Sequence, residues 1–451
     1  MTNAAERKPL TVVDAIGLIV GIIIGAGIFE TPAKVSAAVA SPMHVANLWL
    51  VGWLIALCGA FCYAELAATY PTDAGEAEYL RQAFGPFAGW YFTWIQLVCF
   101  RTAAAIVTIA YIFAKYAQEI WHLPIGVYVT ASIVVFTIVN AFGLRPGKWT
   151  QNLLTLAKIS GMTALIGVGF ALTPTEAPEI TLAEADRRPL ALAAVLIMYA
   201  YSGWHEAAYI VGDLRDPGRA LPRAMFIGVT FVAVIYGVVN LAAVLGLGFQ
   251  EMQLIGSARS LDTKFGAILF GRAGLPAWWF ASLVVIVTLG SINGTTLSGS
   301  RLFAAVGSTQ PGYGWLSRGR TRRDAPLVAL LVQAMISLAF VAAIEWRGSG
   351  ADGFDLIVAV TSPVLWLVFL AAGVALLVLR RKQPAITRPF RVPLYPIVPL
   401  IYIAGCVFML LESTKYAMTQ RGPELWLMAI LLLLGFPYWW YAHRRTSSSS
   451  H

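Results

Sequence analysis

The chain has 451 residues, of which 58% are hydrophobic and 12% charged, with a formal net charge of +9. A soluble globule carries about a quarter charged residues. Half that share excludes a water-exposed globular fold and points to a single body embedded in a membrane.

Twelve apolar stretches long enough to cross a bilayer are predicted at 13–39, 46–70, 87–114, 125–142, 152–172, 189–211, 222–249, 276–304, 325–344, 356–379, 394–412 and 423–442. We number them spans one to twelve. The first is too long for a cleaved signal peptide and is expected to be retained. Span one reads GLIVGIIIGAGIFETPAKV, with Gly21, Gly25 and Gly27 near its midpoint. Between spans two and three, residues 73–86 are too polar to span and are expected to form a short interfacial helix. Span three carries Arg101 and span five Lys158, the two basic residues too deep in their spans to be assigned to either side. Span six reads LAAVLIMYAYSGWHEAAYIVGD, with Tyr201, Ser202 and Gly203 near its middle. Span eight holds small and polar residues, among them Ser291 and Asn293, suited to close helix packing and interhelical hydrogen bonds. The run from Thr446 to His451 is expected to be a disordered tail.

Twenty of the 32 Lys and Arg residues fall on the side that carries the N-terminus and ten on the other. This asymmetry predicts cytoplasmic termini, explains the surplus positive charge as a topology signal, and leaves nucleic-acid binding without support. Cys58, Cys62, Cys99 and Cys406 all lie in apolar stretches and read as buried thiols. Neither a metal-ligand spacing nor a disulfide framework is present, and no cofactor is called for.

The glycine interruptions occupy the first member of each of two five-span halves. Paired interruptions at equivalent positions point to a transporter site at the bilayer midplane. Freed N–H groups at Ala26, Gly27 and Ile28 would open the second half of span one and form an anion site. Carbonyls at Ile23 and Ile24, and at Tyr199 and Ala200, would accept hydrogen bonds from an ammonium. A zwitterionic amino acid offers both charges a short distance apart. Lys158 lies about 9 Å from the near edge of its span by helix rise; it either snorkels to the interface or fills a cation position at the first break. Arg101 is expected to have an interior partner or to bond a helix end. Glu206 is costly unless paired, and His205 either lines the pocket or bonds a neighbouring helix. Tyr199 is placed to lie over a substrate as a gate, Ser202 adds a hydroxyl to the turn, and Trp204 supports it. Glu65, near the end of span two, is expected at a wetted interface.

The strings IIIGAGIFETP, DAGEAEYLRQAFG, AKISG, YAYSGWHEAAYIVGDLRDPGRALPRA and GSINGTTLSGSR, in this order, make the chain resemble the amino acid–polyamine–organocation superfamily. Within it, the chain resembles L-type amino acid transporters and bacterial alanine-serine-cysteine exchangers. The resemblance implies an all-α leucine-transporter fold: a first five-helix repeat at 10–172, a second at 189–380 and two accessory helices at 394–442. Together these form one transmembrane domain, 1–442, followed by a polar tail, 443–451. It also implies a carboxylate site at Ala26 and Gly27, amine contacts at Ile23 and Ala200 to Ser202, a gate at Tyr199, a pocket residue at His205, and a sodium-surrogate or proton-coupling role for Lys158.

Departures are Ala26, where many L-type members have serine, and Ser202, His205 and Glu206 after the second break. Heterodimeric relatives carry a disulfide-forming cysteine after span three, but residues 115–124 contain none. The expectation is therefore a monomer in a bacterial cytoplasmic membrane, without a linked heavy subunit. It would exchange neutral L-amino acids without sodium. Proton symport through Lys158 and transport of cationic amino acids or polyamines remain open alternatives; a channel, a membrane enzyme and a non-transporting sensor have less support.

Overall fold

A computed structural model describes residues 11–72, 74–172, 190–214, 216–257, 264–276, 278–319, 325–348, 353–420 and 422–448. Among them secondary structure is almost wholly helical. Among the described residues nine helices are long and apolar enough to cross a membrane, and the bent pair Ala15–Ile23 with Gly27–Ser36 supplies a tenth. Ile125–Ala141 is apolar but shorter, and the sixth predicted span is divided into Leu190–Ala200 and Trp204–Asp213. Within the continuous helices the backbone satisfies its own polar groups, which is what a bilayer requires.

Boundaries follow local chemistry. The second span runs Pro42–Thr69, four residues earlier than expected, because Ser41 accepts from His44 N–H and Pro42 takes the first helical turn. The seventh spans Pro217–Leu247 and likewise opens on proline. The polar stretch after span two forms the helix Glu76–Phe84. Two short helices, Phe249–Ser257 and Phe265–Arg272, were not anticipated. The last helix, Gly435–Ser448, continues into residues expected to be disordered, so the helical register outlasts the apolar pattern.

Span three, Pro86–Ala117, is α-helical at both ends and π-helical over Gln96–Val107. Thr102 and Thr108 hydroxyls each donate to the carbonyl five residues back, at 3.0 and 3.1 Å, filling the wider turn. Wide turns of this kind are concentrated at functional sites.

One correction concerns Glu65. It is 1% exposed rather than wetted. Its carboxylate accepts from Arg380 Nε at 2.8 Å and from Val392 N–H at 2.6 Å, with Arg388 Nε 3.4 Å away. Sequence supplied its depth but not a partner 315 residues distant.

Candidate functional site

The first half of span one, Val12–Ile23, ends where glycine removes the side chains that support a helix. Ile24 N–H still bonds Val20 O at 3.0 Å, and the first bond of the second half is Phe29 N–H to Ala26 O at 3.1 Å. Between them helical bonding lapses, and the axis turns by 52°. Ala26, at the cap of Gly27–Ser36, contributes no side-chain hydrogen bond. The amides opening that half therefore depend on another acceptor.

Span six breaks directly opposite. Ser202 donates both its N–H and its hydroxyl to Tyr199 O, at 3.1 and 2.7 Å, closing a turn after Ala200. Gly203 follows at φ +113°, a conformation that disfavours a β-carbon. A tight 3-10 segment, Trp204–Asp213, then continues. The two breaks touch: a β-carbon on Gly27 would stand 3.3 Å from Ala200 Cα. Glycine at position 27 thus suits the close approach, where a β-carbon would be tight.

Two side chains engage the freed carbonyls. Lys158, fully buried, does not snorkel; its Nζ donates to Gly21 O and Ile24 O, both at 2.8 Å, and lies 3.3 Å from Ser291 Oγ. Tyr236, in span seven, donates its hydroxyl toward Ile23 O at 3.0 Å and Ala200 O at 3.1 Å. It joins the two breaks across their carbonyl ends, and the sequence reading missed it. The available signal was a single phenol in the largely apolar run FVAVIYGVVNLAAV. One hydroxyl carries one proton, so Tyr236 cannot fully satisfy both acceptors at once. Ile23 and Ala200 carbonyls, expected to serve a ligand ammonium alone, are shared with this residue.

Arg101 and Glu206 are each other's partner. Arg101 Nη1 stands 2.7 Å from both carboxylate oxygens and 3.0 Å from Ser298 Oγ, while Ser298 donates to Glu206 at 2.9 Å. The guanidinium also lies over the Tyr209 ring, 4.5 Å from its centroid. This buried bond ties the π-helical part of span three to the second half of span six and to span eight. His205 sits beside it, its Nε2 3.4 Å from Glu206 and its ring against Phe100 and Phe369. Trp204 packs edge-on to Tyr63 and Tyr402. Tyr199 is half-buried at the end of the first half of span six. Asn293 joins a different network, accepting from Asn140 and donating to Gln151, each at 3.0 Å.

Two membrane helices broken side by side, with amides free on one limb and carbonyls held by an ammonium and a phenol on the other, define a secondary transporter rather than a pore or an enzyme. The chain belongs to the amino acid permease family, whose model matches residues 10–436. It is 31% identical over 431 residues to the mouse large neutral amino acids transporter small subunit 2, covering 91% of this chain and 77% of that protein. It is 30% identical to the mouse Asc-type amino acid transporter 1, over 91% of this chain and 77% of that protein. The mouse b(0,+)-type amino acid transporter 1 is 28% identical, over 91% and 83% respectively.

Proposed function

We propose that this protein moves neutral L-amino acids across a bacterial cytoplasmic membrane by sodium-independent exchange. The observation that carries the reading is the pairing of the breaks, with the Lys158 ammonium seated on Gly21 O and Ile24 O. A fixed cation there does the work of a bound sodium ion. The substrate carboxylate meets the amides of Ala26, Gly27 and Ile28, where the positive end of the second half of span one favours an anion. The substrate ammonium supplies the donors that Tyr236 alone lacks at Ile23 O and Ala200 O. Tyr199 closes over the bound molecule, Ser202 and His205 border its side chain, and the Arg101–Glu206 bond keeps the second half of span six in register. The names of the mammalian relatives support amino acids as the cargo.

On this reading twelve spans form two inverted five-helix repeats, 10–172 and 189–380, with two accessory helices and both termini in the cytoplasm. The basic-residue asymmetry supports the orientation. The relative called a small subunit raises the question of a partner. Cys62, Cys99 and Cys406 are buried here, Cys58 is half-buried, and residues 115–124 hold no thiol. These placements weigh against a disulfide-linked subunit, and the reading is of a chain that works as a monomer. Glu206, engaged by Arg101, is not free to receive a second substrate ammonium, which weighs against cationic amino acids and polyamines.

Proteoliposomes loaded with one amino acid provide the test. Radiolabelled neutral amino acid should enter only against internal amino acid, with no response to sodium. Uptake into empty vesicles driven by an inward proton gradient, abolished in Lys158→Ala, would establish proton symport instead. That second reading is kept because Lys158 is the sole ammonium seated at the breaks among the described residues.

A further inference from the structure

The helix Glu76–Phe84 lies on the side expected to face the cytoplasm, and its first residue has no part in the transport site described above. Glu76 is 0% exposed, and no cation pairs with either carboxyl oxygen among the described residues; only the Tyr209 hydroxyl approaches them as a donor. Gly75 makes this placement possible: at φ +52° it lacks a β-carbon that would stand 2.5 Å from the Tyr209 ring. The helix start is thereby pressed onto the second half of span six. The Tyr209 hydroxyl beside the carboxyl accepts from Gln96 Nε2 at 3.2 Å.

Other buried polar atoms nearby are left unpaired. The hydroxyls of Tyr63 and Tyr79 and the Nδ1 of His205 have no hydrogen-bond partner among the described residues, while His205 Nε2 lies 3.4 Å from Glu206 and the Tyr402 hydroxyl meets the Cys406 thiol. Tyr63, Tyr79, Tyr402 and His205 each interact electrostatically with Glu76. Such groups are ordinarily satisfied by ordered water. The cations facing this region have other partners: Arg101 pairs through Nη1 with Glu206, its Nε and Nη2 being unpaired among the described residues, Arg380 with Glu65, Lys382 with Ala83 O, and Arg81 with Glu78 on the same helix.

We propose that Glu76 is a proton-binding site, loaded and emptied from the cytoplasm, whose protonation holds the Glu76–Phe84 helix against span six. The step is a reversible proton transfer from water to a carboxylate oxygen, and no other bond forms or breaks. Burial raises the Glu76 carboxyl above its ordinary value, opposed by His205, Tyr209 and Arg101. The sign follows. The packed arrangement is most favoured below the ordinary carboxylate value and loses that advantage as pH rises toward the raised one. Movement of span six away from the helix wets Glu76 and releases the proton, so a more alkaline cytoplasm favours inward opening.

This inference rests on the proposed transport activity, and its test separates the two. Exchange is measured in proteoliposomes with the internal pH stepped from about 5 to about 8, for wild type, Glu76→Gln and Glu76→Asp. Wild-type exchange should rise several-fold across that range. Glu76→Gln, a permanently neutral isostere, should hold the low-pH rate throughout, and Glu76→Asp should keep a pH response. An unchanged profile in Glu76→Gln, or its loss only in His205→Gln, would overturn the assignment. Absence of exchange in wild type at every pH would count against the transport reading instead. Infrared difference spectra need no transport: the carbonyl stretch of a protonated carboxyl should be present at acidic pH and missing from Glu76→Gln. Identical spectra would likewise overturn the site.

Discussion

Lys158, Arg101 and Glu206 stand out in the sequence because a charge inside an apolar span has few tolerable explanations. Their partners were not legible, since Arg101 and Glu206 are 105 residues apart and only the packed fold brings them to 2.7 Å. The bond makes a prediction about stability. Arg101→Leu leaves a carboxylate buried without its guanidinium and should cost about 3–5 kcal/mol, whereas Arg101→Leu with Glu206→Leu should recover most of the loss. Thermal unfolding in detergent measures both, and a double variant no more stable than the single would contradict the pairing energetics. Tyr236 was invisible for the opposite reason: an aromatic residue in a membrane helix ordinarily reads as packing. Its hydroxyl reaches carbonyls on both breaks. Tyr236→Phe should therefore reduce exchange by about five- to tenfold, corresponding to one net hydrogen bond of about 1–1.5 kcal/mol. Membrane insertion should be unaffected, and near-wild-type exchange would remove Tyr236 from the site.

The breaks themselves were legible as paired glycine clusters, and their limits in the structure fall within a residue or two of those read from the sequence. Their mutual contact was not, because sequence gives positions along a span but not which faces meet. Gly27 stands against Ala200, so Gly27→Val adds bulk at the contact and over the amides together. The variant should insert normally yet show no saturable amino acid binding by scintillation proximity; unchanged binding would place the ligand elsewhere. Gly203 tests the second break through backbone conformation alone. At φ +113° an alanine is strained, so Gly203→Ala should cost about 1–3 kcal/mol in thermal stability, and an unchanged midpoint would contradict that conformation. The π-helical centre of span three escaped sequence reading because one additional residue in a turn leaves composition untouched. The helices Phe249–Ser257 and Phe265–Arg272 escaped it because each is too short for its periodicity to stand out.

For the molecule as a whole, the tie between the breaks bears on the proposal that transport is obligatory exchange. With no substrate bound, the amides opening the second half of span one lack helical acceptors, and the Tyr236 hydroxyl is shared between two carbonyls. Closing the cavity around these groups withdraws them from water without replacing all their hydrogen bonds. A zwitterion supplies the missing acceptor and donors together, so its contribution is largest when the site is sealed from both sides. Leaving even one charged-group hydrogen bond unmade at that point costs about 1.5–3 kcal/mol, or roughly ten- to a hundredfold in the population of the closed form. Efflux of preloaded amino acid into substrate-free buffer should therefore be slower than efflux into saturating external amino acid by about that factor. Tyr236→Phe should slow the loaded and empty crossings unequally, because the substrate ammonium can bond the carbonyls that the phenol no longer serves. Equal efflux rates with and without external substrate would mean that the empty carrier closes freely, and the hydrogen-bond deficit at the two breaks would not govern the cycle.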